Sequence, residues 1–195
     1  MDFLNERNLW QIYLKSRVIP TSKINKWGTF AITLISFING AFLSNQELYE
    51  VIKTTSGSLF GVLITTLGFL VAGYTIFCTV LPVDLQKQMM IAIDEDTNLS
   101  YLKKFHFLFL RVFFYFVVFS GFLFLVNFFQ GSSGLIFHFI ENPCFFFSLN
   151  LVGYTLISGF TVFLLFELMS FIFNIFESVR SALNWEEIKE KNKTP

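Results

Sequence analysis

The chain has 195 residues, enough for one compact domain. Hydrophobic residues make up 54% of it, charged residues only 14%, and 29 positions are phenylalanine. An average soluble domain carries about 25% charged residues, and a soluble chain of this length has too little interior to hide so much apolar side chain, so lipid must supply the missing apolar solvent. A formal net charge of zero excludes a global pull toward nucleic acid, and no direct nucleic-acid binding is expected.

In chain order, residues 1–26 form a cytoplasmic, interfacial segment. Residues 1–19 read as a short amphipathic helix, with Phe3, Trp10, Leu14 and Val18 near one stripe that Arg7 interrupts, and Pro20 ends the run. Trp10 and Tyr13 beside Arg17 suit the headgroup zone, so a surface-lying anchor or docking helix is preferred to a solvated lead-in. The patterned residues ahead of the first apolar run, and the lack of a small-residue cleavage site after it, do not fit a cleaved signal peptide.

Residues 27–176 read as an all-α domain, a polytopic membrane protein with a four-transmembrane-helix bundle and spans at 27–43, 56–81, 105–129 and 146–170. The first is short for a ~30 Å core. The fourth belongs to an apolar run that continues to Phe176, so its helix must tilt or project beyond the bilayer. Basic residues give the orientation. Arg7, Lys15, Arg17, Lys23 and Lys26 precede the first span, Lys87, Lys103 and Lys104 lie near the middle loop, and Arg180, Lys189, Lys191 and Lys193 lie in the tail. The other two loops share only Lys53. With four spans all three basic segments fall on one side, which sets both termini in the cytoplasm.

The middle loop begins semi-apolar, with Met89, Met90 and Ile91 grouped, and turns acidic at Asp94, Glu95 and Asp96 before Asn98 or Ser100 caps the next helix. Leu99 and Phe105 stand where a calcium loop needs glycine and glutamate, so no calcium site is read. The Met-Met-Ile group is a candidate for protein contact. Gly131, Ser132, Ser133 and Gly134 read as a turn, and Leu135 to Ile140 are expected to dip into the interface. Residues 177–195 form a charged helical tail in which Trp185 is a second candidate for docking a cytosolic partner.

Inside the spans, Arg111 and Glu167 are the charged residues, both in the cytoplasmic half. Charge at the bilayer centre costs at least about 2.5 kcal/mol, so a structural ion pair between them is the first reading and snorkelling the second. The second span carries Gly57, Gly61, Thr65, Gly68, Ala72, Thr75 and Thr79 at helical spacing. Such a stripe allows close helix approach. It fits packing within the chain, a seam between copies, or a threonine-lined pore. Asn39, Asn127 and Asn150 lie at similar depth, as a cluster or as separate packing amides, and the phenylalanines of the third span surround their helix.

Catalytic signatures are missing. His106 and His138 fall on opposite sides of the membrane, Cys78 and Cys144 are too far apart to pair, and no phosphate-binding glycine loop or nucleophile elbow occurs. No enzyme activity, cofactor or metal is expected.

The block GSLFGVLITTLGFLVAGYTIFCTVLP from Gly57 to Pro82, the VDLQKQMM that follows, and the Phe-rich third span resemble the membrane subunits of the Kiwa anti-phage defence systems. The resemblance is one of length and layout over most of the chain. It implies a homo-oligomeric inner-membrane sensor that works with a cytosolic DNA-binding partner, and it carries no catalytic residues. A channel or pore-forming effector and an auxiliary subunit of a transporter or envelope complex are the other readings.

Overall fold

The computed structural model describes residue 6 and residues 8–130 and 143–191. The expected turn and dip after residue 130, and His138, lie outside them. The described residues form α1 (Leu9–Ser16), α2 (Lys23–Ala41), α3 (Asn45–Val80), α4 (Val83–Ile91), a two-stranded antiparallel hairpin β1 (Ile93–Asp94) and β2 (Leu99–Ser100), α5 (Tyr101–Phe129) and α6 (Pro143–Lys191). Among the described residues the protein is all-α apart from this hairpin, whose register pairs Ile93 with Ser100 and Asp94 with Leu99.

Three of these helices are long and apolar enough to cross a membrane: α3, α5 and the Pro143–Trp185 part of α6. Both α3 and α6 outrun the spans read from sequence. At 36 and 49 residues they extend about 54 and 73 Å at 1.5 Å per residue, well beyond a ~30 Å core. The short α2 carries Lys23, Asn25, Lys26 and Asn39 within its 19 residues, which dilutes its apolar character. Its outward side is still apolar, with Ile24, Trp27, Phe30 and Ile35 exposed.

The chain forms two compact units, and α3, α5 and α6 each contribute residues to both. The first unit comprises Met1–Pro20, Gly68–Phe114 and Glu167–Pro195. Its core is aromatic: Phe77 stacks on Phe105 at 3.8 Å between ring centres, and Phe109 meets Phe171 edge-on at 4.2 Å. Leu70, Leu81, Leu85, Leu102 and Val112 fill the space around these rings.

The second unit comprises Thr21–Leu67 and Tyr115–Phe166. Leu48, Ile52, Leu63, Phe116, Phe119, Leu123, Ile157 and Leu164 are buried in it. Here α2 and α6 approach through glycines. A Cβ added at Gly28 would lie 2.8 Å from the Phe166 ring, at Gly40 2.8 Å from Leu151, and at Gly159 2.6 Å from Thr33 Oγ1. Such backbone contact is how helices associate where lipid tails remove the hydrophobic drive between them. The asparagines form separate pairs rather than one cluster. Asn39 Nδ2 donates to Tyr154 Oη (3.2 Å), Asn127 Oδ1 accepts from Ser56 Oγ (2.8 Å), and Asn150 Nδ2 donates to Asn45 Oδ1 (2.6 Å). The phenylalanines of α5 divide as expected: Phe109, Phe116 and Phe119 are buried, while Phe124 and Phe128 face outward.

Candidate functional site

The first unit gathers the segments in which the sequence placed its docking candidates. Its N-terminal piece begins with Asn8, whose side chain accepts from the Gln11 backbone N–H and so caps α1. The helix runs for two turns, and Pro20 prevents its continuation. The Ser16 carbonyl at its end already accepts from the Ile19 N–H, and α5 adds a second donor to it and one to the Ile19 carbonyl. Arg111 Nη1 donates to the carbonyls of Ser16 (3.2 Å) and Ile19 (2.7 Å). A cation at a helix C-terminus also complements the helix dipole. Arg111 is only 4% exposed, so these bonds act in a medium of low polarity.

This arrangement differs from the salt bridge expected between Arg111 and Glu167. No ion pair joins the two among the described residues. The N-terminal segment folds back and supplies acceptors to the guanidinium, which a reading confined to the spans could not include. Glu167 is buried as well and is engaged in an interaction of its own.

Two further contacts hold α1. Tyr13 stacks on Phe114 with ring centres 4.4 Å apart, and Trp10 lies 5.9 Å from the same ring. The Glu6 carboxylate accepts from Lys15 at 2.7 Å and pairs with Lys103 at 2.8 Å. Burial pushes the Glu6 carboxyl upward, but the bonds from Lys103 and Lys15 outweigh it and hold it below the usual carboxylate range. Trp10, Leu14 and Val18, four residues apart, remain exposed. The segment is therefore fastened to α5 while these three apolar side chains stay uncovered.

The middle segment starts at a break. Pro82 has no N–H, so it cannot serve the carbonyl of Cys78 four residues back. Gln86 supplies the missing donor, its Nε2 donating to the carbonyls of Leu81 (3.0 Å) and Cys78 (3.4 Å). After α4, Asp94 organises the hairpin. It accepts from the backbone N–H and hydroxyl of Thr97, and Lys104 Nζ pairs with it at 2.9 Å. The Thr97 bonds, then Lys104, hold its carboxyl below the usual range. Asn98 takes the left-handed conformation, φ 54°, that closes the turn. Ser100 Oγ accepts from the Lys103 N–H and so caps α5.

The docking candidates themselves are placed unevenly. Met89 and Met90 are half-buried, and Met89 lines a cavity of about 190 Å³ with Leu81, Tyr101, Lys104 and Glu177. The exposed apolar residues of this segment are Val83, Ile91 and Ile93. Trp185 is half-buried, and its indole N–H has no acceptor among the described residues.

The stripe on α3 faces outward throughout. Gly57, Gly61, Thr65, Gly68, Ala72, Thr75 and Thr79 are all exposed. A Cβ at Gly61 or Gly68 would meet nothing within 4 Å, and one at Gly57 only Asn127 Oδ1 at 3.7 Å. Packing within the chain therefore does not use this stripe; Leu63, Leu70 and Phe77 make the buried line of α3. The hydroxyls of Thr65 and Thr75 bond the carbonyls of Gly61 and Val71 on their own helix, both at 3.0 Å.

Sequence reasoning missed Phe114, Gln86, and Glu6 with its pairing to Lys103. Only Gln86 left a local signal, an amide placed one helical turn after a proline. Among the described residues no group of three or more His, Cys, Asp and Glu side chains could hold a metal ion. Cys78 and Cys144 are both free thiols. Comparison with family models, curated proteins and solved structures finds no match.

Proposed function

We propose that this protein is a four-span sensor or scaffold of a bacterial inner membrane, with both termini cytoplasmic. In this reading it assembles with copies of itself and recruits a cytosolic DNA-binding partner, as its resemblance to the Kiwa membrane subunits suggests. The observation that carries the reading is the composition of the first unit. The N-terminal segment as far as Pro20, the loop with α4 and the hairpin, and the C-terminal tail all belong to it, while Lys23 and Lys26 fall in the second unit. These are the three basic segments that the positive-inside rule assigns to one side. Their grouping supports an even number of spans, with α2 as the fourth beside α3, α5 and α6.

Two features support the assembly. The outward stripe of small residues on α3 suits close approach by a second copy, because the protomer itself leaves it uncovered. The exposed Val83, Ile91 and Ile93 offer apolar surface outside the long helices to a soluble protein. A pore reading gains little from Thr65 and Thr75, whose hydroxyls are already bonded to their own helix.

Native mass spectrometry of the protein, gently extracted from its host membrane, tests the proposal. The expected spectrum is a discrete homo-oligomer carrying a stoichiometric soluble partner that binds DNA. Ile91→Glu with Ile93→Glu should release the partner and spare the oligomer, while Gly61→Leu with Gly68→Leu should break the oligomer. A bare monomer, or an oligomer with no soluble component, contradicts the proposal.

A further inference from the structure

A cavity of about 410 Å³ lies within the second unit and takes no part in the docking surface described above. Its walls come from Ile52 on α3, Phe122 and Leu125 on α5, and Leu149, Gly153 and Leu156 on α6. Several of these, Leu125, Leu149 and Leu156 among them, are themselves exposed, so the cavity is a cleft open to the side rather than a closed void. Along α5 it extends from Phe122 to Gln130, about 12 Å of helix axis, which is close to one leaflet of a ~30 Å hydrocarbon core.

The polar groups are confined to one end. Tyr49, Gln130 and Asn150 lie where α3 and α6 begin and α5 stops, the ends at which chain must leave a bilayer. Most of their hydrogen bonds are already made: Tyr49 donates to the Gln130 carbonyl at 2.7 Å, and Asn150 donates to Asn45. One group is left over. The side-chain oxygen of Gln130 is buried with no donor among the described residues. Between lipid tails there is no water to fill such a cleft, and an unfilled one forfeits the packing its walls could make.

We propose that this cleft binds one acyl chain of a membrane phospholipid, with the headgroup at the Tyr49–Gln130 end giving an N–H or O–H donor to Gln130 Oε1. The assignment rests on the membrane reading of α3, α5 and α6. A lipid matches both features of the cleft, its leaflet-length apolar run and its single polar end. A second copy would need a complementary helix face, and the surface shaped for that is the α3 stripe.

The test uses the full-length protein in nanodiscs of phosphatidylethanolamine and phosphatidylglycerol. These are doped with a phosphatidylethanolamine that carries a photoreactive diazirine in mid-chain. After irradiation, peptide mapping should place the label on residues 122–126 and 149–157. Gly153→Leu directs a side chain into the cleft and should abolish that labelling; its added Cβ would meet only Ile52, at an ordinary 3.6 Å. Leu156→Phe is a second filling variant, should Gly153→Leu fail to fold. Gln130→Leu should retain labelling but lose the preference for phosphatidylethanolamine over phosphatidylcholine, whose headgroup has no donor. Label spread evenly over outward residues such as Phe69 and Ile76, unchanged in Gly153→Leu, overturns the proposal. So does a crosslink showing the cleft filled by a second copy or by residues 131–142. Failure to enter nanodiscs at all overturns the membrane reading itself, and the cleft assignment with it.

Discussion

At the scale of single residues, Arg111 does the most to fasten the N-terminal helix. Its guanidinium meets two carbonyls from a buried position. Hydrogen bonds to charged groups contribute about 1.5–3 kcal/mol each, and a buried acceptor left alone costs a comparable amount. Arg111→Ala should therefore weaken the docking of α1 by about 3 kcal/mol. Spin labels at Leu14→Cys and Lys87→Cys, both within the first unit, should give a narrow distance distribution that broadens in this variant. Arg111→Lys keeps the charge but not the planar fork, and should broaden it partly. Glu6 adds a pH dependence whose sign follows from its depressed carboxyl. A group with a lowered folded pKa stabilises fully above its unfolded value and loses that contribution as pH falls through the folded one. With an unfolded glutamate near pKa ~4.3, the docked distance should hold at neutral pH and broaden below about pH 4. In Glu6→Gln the part of the acid response owed to this carboxylate should be gone.

At the scale of elements, small residues serve two ends that their spacing alone did not separate. The α3 stripe was visible in sequence as a helical pattern, but it faces outward, and the contacts that bring helices together inside the second unit come from Gly28, Gly40 and Gly159. Those isolated glycines repeat at no interval, because what makes each necessary is a partner side chain such as Phe166 or Thr33, distant in sequence. The two sets should respond differently to mutation. Gly159→Ala forces a Cβ against Thr33 and should destabilise by about 1–3 kcal/mol, the usual cost of overpacking. Gly68→Ala enters open space and should leave the melting temperature of the isolated protomer essentially unchanged. Alanine favours the helix more than glycine does, so a loss of stability in Gly68→Ala matching that in Gly159→Ala would remove the distinction.

For the whole molecule, composition and apolar runs carried the architecture far. Helical class, the three long helices and the continuation of the last into a tail followed from the hydrophobic stretches and the absence of proline between Pro143 and Trp185. The ends of the elements were less legible. Leu9–Ser16 is shorter than the amphipathic stretch suggested, and α3 starts well before its apolar run because Ser44 and Glu47 form a capping pair, Glu47 accepting from the Ser44 N–H and donating its own N–H to Ser44 Oγ. Contacts between distant segments, such as Glu6 with Lys103, left no trace in local pattern. Neither did the cleft, since its lining residues read singly as ordinary lipid-facing positions.

The central claim, that the three basic segments share the cytoplasmic face of a four-span protein, is tested most directly by cysteine accessibility in intact cells. Cys78 and Cys144 would be replaced by serine, and single cysteines placed at the exposed positions Arg17, Gln46, Glu95 and Glu187. A membrane-impermeant maleimide should label position 46 from outside, and positions 17, 95 and 187 only after the membrane is opened. Labelling of 17 and 187 from opposite sides would contradict an even number of spans, and with it the shared cytoplasmic docking face.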